Sequence, residues 1–140
     1  MTLHLIKMAV GVEDLDHLIE LRRKRRLREG EGPCCIRTRN MPKRAGEVLD
    51  GGSLYWVIKG LIRVRQRIVA LTVETDEEGD RRCVIAMDHA LVPTEPQSQR
   101  PFQGWRYFDP DDAPPDRHGA GAGDELPAKL MRELRSLGLL

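Results

Sequence analysis

Residues Asp50–Glu74, DGGSLYWVIKGLIRVRQRIVALTVE, constrain the fold more than any other stretch. A turn at Gly51-Gly52 opens two β-rich runs separated by Gly60. In the second run Arg63, Arg65 and Arg67 recur at every other position. Successive side chains of a strand point to opposite faces, so the three guanidinium groups are predicted to share one face. Ile62, Val64 and Ile68 then take the other and anchor the strand to a core. A strand that is oily on one side and triply basic on the other suits a sheet with one open face, where an anion can sit.

With 140 residues the chain has the size of one domain with one core. Hydrophobic residues make up 40% and charged residues 32%, a balance that excludes a disordered chain. The net charge of +1 hides local asymmetry. RRKRRLR at 22–28 is basic, whereas ETDEEGD at 74–80 and DPDDAPPD at 109–116 are acidic. That distribution argues against bulk charge-driven binding and leaves room for a localised anion site.

No apolar run approaches the ~20 residues that span a bilayer, so no membrane partner is expected. MTLHLIKMAV lacks the features of a signal peptide and reads as a first strand. Three cysteines, two of them adjacent, fit neither a disulfide framework nor a zinc site. The expectation is a reduced, cytoplasmic protein.

Leu3–Val10 suits a central strand covered on both faces. A helix over 13–28 follows, acidic in its first turn and basic in its last, with Leu15, Leu18, Ile19 and Arg22 on one face. Cys34–Arg39 is a candidate strand, and Met41–Leu49 a short helix with Asn40 as its N-cap. After the two runs over 54–59 and 61–74, Arg81–Met87 is predicted to return as a hairpin onto Ile68–Val73. Beyond Asp88 prolines at 93, 96 and 101 make the chain irregular, with Phe102–Phe108 as a last strand. Leu126, Leu130, Leu134 and Leu137 repeat at helical spacing and predict a docked C-terminal helix. The fold class is therefore α+β: one domain over 1–140, a curved and mostly antiparallel sheet or small open barrel. Helices flank it at both ends, and 109–123 is a flexible loop before the second of them.

The arginine row admits two readings. Guanidinium groups in a row can grip phosphates or a carboxylate by forked hydrogen bonds, or they can pair with acids such as Glu47 or Glu74 on a solvated face. All six aromatics fall in two clusters, Tyr55-Trp56 and Phe102–Phe108. Aromatic rings beside arginines are the ingredients for stacking a base, and equally for filling a small core. Trp56 alternates in phase with Leu54 and Ile58 and is assigned to the core. Tyr55 faces the other way and is the contact candidate, while Trp105 fits either role. Lys43 and Arg44, at the start of the short helix, and Arg106 complete a candidate ligand or nucleic-acid site: Lys43, Arg44, Tyr55, Arg63, Arg65, Trp105 and Arg106. The basic helix end reads as solvated.

No catalytic signature is present. His4, His17, His89 and His118 lack metal-ligand spacing, and there is no Gly-rich phosphate loop, G-x-S-x-G or H-E-x-x-H. No catalytic residue, metal or cofactor is assigned. Cys83 falls inside a strand and reads as buried and inert. Asp88-His89 is the one pair placed for acid–base work.

TRNMPKRA (38–45), DGGSLYWVIKG (50–60), RQRI (65–68), RRC (81–83), TEP (94–96), FQGWRYF (102–108) and the leucine-rich ending together resemble a bacterial family, domain of unknown function 1489. The resemblance covers nearly the whole chain and implies no activity. The Cys34-Cys35 pair and the arginine-rich first helix depart from it. The order of elements is also similar to the small barrels of the PUA-like group, including ASCH and EVE domains, many of which hold RNA or a modified base at the barrel mouth. By that analogy the leading expectation is an RNA or modified-base binding module. The alternatives are an enzyme or binding protein for an anionic metabolite, and a protein–protein adaptor.

Overall fold

The computed structural model describes residues 2–30 and 32–117. The elements run β1 (His4–Met8), α1 (Leu15–Glu29), β2 (Cys34–Thr38), α2 (Ala45–Val48), β3 (Ser53–Ile58), β4 (Leu61–Thr75), β5 (Arg81–Met87), β6 (Val92–Ser98) and β7 (Trp105–Phe108). The C-terminal helix predicted over 126–137, and residues 118–123 of the loop before it, lie outside the described residues.

The seven strands form one open, mixed sheet in the order β2-β5-β4-β3-β1-β7, with β6 branching off β4. β1 runs parallel to β3 and every other pairing is antiparallel. β4 is long enough to hold the sheet together. Its first half pairs with β3 and β6, and its second half carries the predicted hairpin to β5. β3 is buried throughout, as its apolar run requires. Leu54, Trp56, Val64 and Ile68 meet Leu15 and Leu18 of α1 in the main core, and Ile6, Tyr55, Val57, Ile62 and Phe108 form a second cluster. The α+β expectation of a curved, mostly antiparallel sheet holds.

The simple alternation expected along β4 does not. β3 and β6 both shift register around Arg63, between Ile62 and Val64. One extra residue in a strand resets which side later residues face. Ile62 therefore packs in the second cluster while Val64 and Ile68 pack in the first. Arg65 shares a face with Ile62, and the three arginines do not form one uninterrupted row opposite Ile62, Val64 and Ile68.

Three local differences have clear causes. α2 starts later than predicted and is capped by Arg44 rather than Asn40, with no side-chain cap bond. β6 occupies a stretch that its prolines mark as irregular. Pro93 and Pro96 are accommodated where β6 is irregular: its register with β4 jumps from Pro93 to Gln97, and toward the segment after β7 Pro93 offers its carbonyl, to Arg117 N. The turn Gly51-Gly52 is dictated by crowding: Gly52 donates to Val48 O at 2.9 Å and accepts from Ile68 N at 3.0 Å. A Cβ there would collide with the carbonyl oxygens of Leu3 and Val48.

Candidate functional site

β2 and β7 are opposite edges of the sheet, yet the chain leaving β2 crosses to β7. At the crossing Trp105 donates its indole N–H to the main-chain carbonyl of Asn40 at 2.9 Å, and the Arg44 main-chain N–H donates to the Tyr107 hydroxyl at 3.1 Å. Side chains thus bridge a sheet whose strands do not close. The crossing leaves a cavity of about 470 Å³ bounded by Arg39, Asn40, Lys43, Gln103, Trp105 and Tyr107, with Thr38, Met41 and Gly104 completing its wall.

The strand period explains the aromatic wall. Trp105 and Tyr107 lie opposite Lys7 and Leu5 on one face of β7, and their rings meet edge-on with centroids 5.0 Å apart. Gly104, at φ +70°, turns the chain into the strand and has open space above it. Among the described residues neither Arg39 nor Lys43 pairs with a carboxylate. Arg44 differs: it is bonded to Glu47 at 2.8 Å, which raises its basicity, and its guanidinium lies 5.8 Å from the Tyr107 ring centre. Below the wall Met41 Sδ accepts from Cys83 Sγ at 3.4 Å, and burial pushes that thiol up.

Of the seven residues selected from sequence, Lys43 and Trp105 line this cavity and Arg44 borders it through its contacts with Tyr107. The other four stand elsewhere. Tyr55 is only 5% exposed, its ring edge-on to His4 and Phe108, and burial raises its hydroxyl above the usual range. That ring is packed in the second cluster and is not offered to a base. Arg65 is committed internally, to both carboxylate oxygens of Asp116 at 2.8 Å and to Ser53 Oγ at 3.0 Å. Its grip on Asp116 raises its own basicity. Arg63 sits at the bulge and lines a separate recess of about 400 Å³ with Thr94, Glu95 and Arg117. Arg106 projects to the opposite side of β7 from Trp105, 4.9 Å from the Phe102 ring centre.

Sequence reasoning missed Arg39, Asn40, Gln103 and Tyr107. The signal was present, because all four fall in the motifs TRNMPKRA and FQGWRYF, and Tyr107 alternates in phase with Trp105. The Asp88-His89 pair does not form. His89 Nε2 contacts the Gly32 carbonyl, and Asp88 accepts from Ala90 N at 3.3 Å. Among the described residues no three His, Cys, Asp or Glu gather as metal ligands, and no helix is long and apolar enough to cross a membrane.

No curated protein and no solved structure matches the chain. The motifs that wall the cavity lie within residues 5–140, which match the model of a family described as "Protein of unknown function (DUF1489)", and the chain belongs to that family.

Proposed function

We propose that this chain is a binding module for single-stranded RNA or a modified base, holding one base in the cavity at the sheet seam. The observation that carries this reading is the pairing of an aromatic wall, Trp105 and Tyr107, with two cations, Arg39 and Lys43, that no carboxylate among the described residues neutralises. A planar base gains ~1–3 kcal/mol by stacking on such a ring, and the cations suit the adjoining phosphates. Asn40 and Gln103 bring amide groups of the kind that read base edges. Three free cysteines fit a reducing compartment, in keeping with a cytoplasmic protein that handles RNA.

The test is a titration of mixed-sequence single-stranded RNA at several salt concentrations. Lys43→Gln is expected to reduce the salt slope by ~0.7, the share of one phosphate contact on single strands. Trp105→Ala is expected to cost affinity with little change of slope, and Trp105→Phe, which keeps a ring but loses the bond to Asn40, to fall between. If the wild type fails to bind RNA at low salt, the nucleic-acid reading is wrong.

A second reading is a binding protein or enzyme for a small anionic metabolite. The cavity size favours it, since about 470 Å³ lies within the ~300–1,000 Å³ of ordinary small-molecule sites. Binding of free nucleotides or carboxylates without RNA binding supports this second reading.

A further inference from the structure

A lysine interrupts the apolar inner face of β1. That strand is paired on both sides, and Lys7 lies opposite Trp56 of β3 and Trp105 of β7. Opposed residues share a face, with Cβ atoms ~4.5–5.5 Å apart in an antiparallel pair. Leu5, two residues earlier on that face, is fully buried. Trp56 is buried too, with the Arg22 guanidinium 5.3 Å from its ring centre. Lys7 itself is half-buried. Its stem is bounded by a tryptophan on each side, and its ammonium reaches past them to water. An apolar residue would fill this place without the rotamer entropy that a lysine loses. Among the described residues no carboxylate pairs with Lys7: Glu13, the nearest acid in sequence, holds Lys59 at 3.1 Å.

Lys7 is not part of the cavity wall. It stands in the strand next to Trp105, whereas Arg39 and Lys43 stand on the chain that crosses over from β2. Cations thus flank Trp105 from two different elements. A base inside a strand has a phosphate on each side, and a lone nucleoside monophosphate has only one. Resting on the reading of the cavity as a base site, we propose that its ligand is an internal stretch of single-stranded RNA. One flanking phosphate meets Arg39 and Lys43, and the other crosses β7 to meet Lys7. A single nucleotide or a small anionic metabolite leaves Lys7 unused.

The probes are a mixed-sequence RNA 10-mer and the four nucleoside 5′-monophosphates, titrated against variants whose unfolding midpoints match the wild type. Lys7→Gln is expected to lower the salt slope for the 10-mer by ~0.7, and Lys7→Gln with Lys43→Gln by ~1.4, one phosphate contact each. Lys7→Arg, which keeps the charge, is expected to retain the slope. Affinity for the monophosphates is expected to be unchanged by Lys7→Gln. One comparison needs no variant: at low salt the wild type is expected to bind the 10-mer about tenfold more tightly than any monophosphate, the share of one further charged hydrogen bond. If Lys43→Gln lowers the slope and Lys7→Gln does not, the strand stops short of β1: this inference falls while the base site stands. Monophosphates that bind as tightly as the 10-mer overturn it as well. No binding of the 10-mer even at low salt removes the base site, and the inference with it.

Discussion

Arg65 holds Asp116 through two parallel hydrogen bonds, each 2.8 Å, and so ties the acidic segment after β7 to the middle of the sheet. The attachment is reinforced around it. Thr94 and Asp116 form a β-bridge, Glu95 N donates to Pro115 O, and Arg117 N donates to Pro93 O, the last two at 2.9 Å. Where the sequence suggests a flexible loop from 109, the described part, through Arg117, is pinned. With side chains 25% and 33% exposed, the pair is neither fully screened nor fully desolvated. Asp116→Ala leaves Arg65 half-buried without its carboxylate, with Ser53 Oγ still accepting from it, and is expected to cost about 1.5 kcal/mol in urea unfolding. Replacing both by apolar residues of similar volume is expected to recover most of that loss. A neutral Asp116→Ala would show that the segment contributes nothing to stability.

Gly52→Ala is expected to be among the most damaging substitutions in the chain. The added methyl meets two main-chain carbonyls that belong to different elements, the lead-in to β1 and the end of α2. Backbone cannot rotate away as a side chain does, so the cost is expected at the upper end of the ~1–3 kcal/mol that overpacking typically carries. Gly46→Ala serves as the control, because nothing lies within 4 Å of a Cβ there. Equal midpoints for the two variants would mean that the crowding at Gly52 relaxes without cost.

Strand and helix content was legible because periodicity and turn residues report on local burial. β5 matches its predicted limits, and Trp56 goes to the core as its phase with Leu54 and Ile58 requires. The bulge at Arg63 was not legible. Ile62 and Val64 are both apolar, so the pattern reads the same whether they share a face or, as here, do not. Tyr55 was misplaced for a related reason: the sheet is covered on both faces, and alternation alone does not say that the second face is also dry. The site was half legible. Lys43 and Trp105 stand out by type, but their meeting depends on the chain crossing from one sheet edge to the other, which no local signal encodes.

The turn between β3 and β4 carries a small strain that can be removed. Lys59 and Gly60 both have positive φ, +51° and +81°. Two such residues make the tight hairpin turn that suits twisted strands, for which Asn-Gly is preferred. Lys59 forms an ion pair with Glu13 at 3.1 Å, but both side chains are well exposed and the pair contributes little. Lys59→Asn is therefore expected to raise stability by about 0.5–1 kcal/mol. A lower unfolding midpoint would show that the Glu13 contact outweighs the backbone preference.

His4 makes stability depend on pH in a defined direction. Its Nδ1 accepts from the Ser53 main-chain N–H at 2.9 Å, so the ring is neutral with its proton on Nε2. Burial, and then the nearby Arg65 charge, depress its pKa below 6.5. The unfolded chain therefore takes up a proton before the folded one does. Stability from this group is fully present above about pH 6.5 and is lost as pH falls through the lower folded-state value. The unfolding midpoint is expected to be level from pH 8 to about 7 and to decline below about 6.5. His4→Asn, which keeps an acceptor near Ser53 and cannot titrate there, is expected to flatten the decline in that window. If variant and wild type fall in parallel, His4 is not the group responsible, and the acid sensitivity lies with the carboxylates.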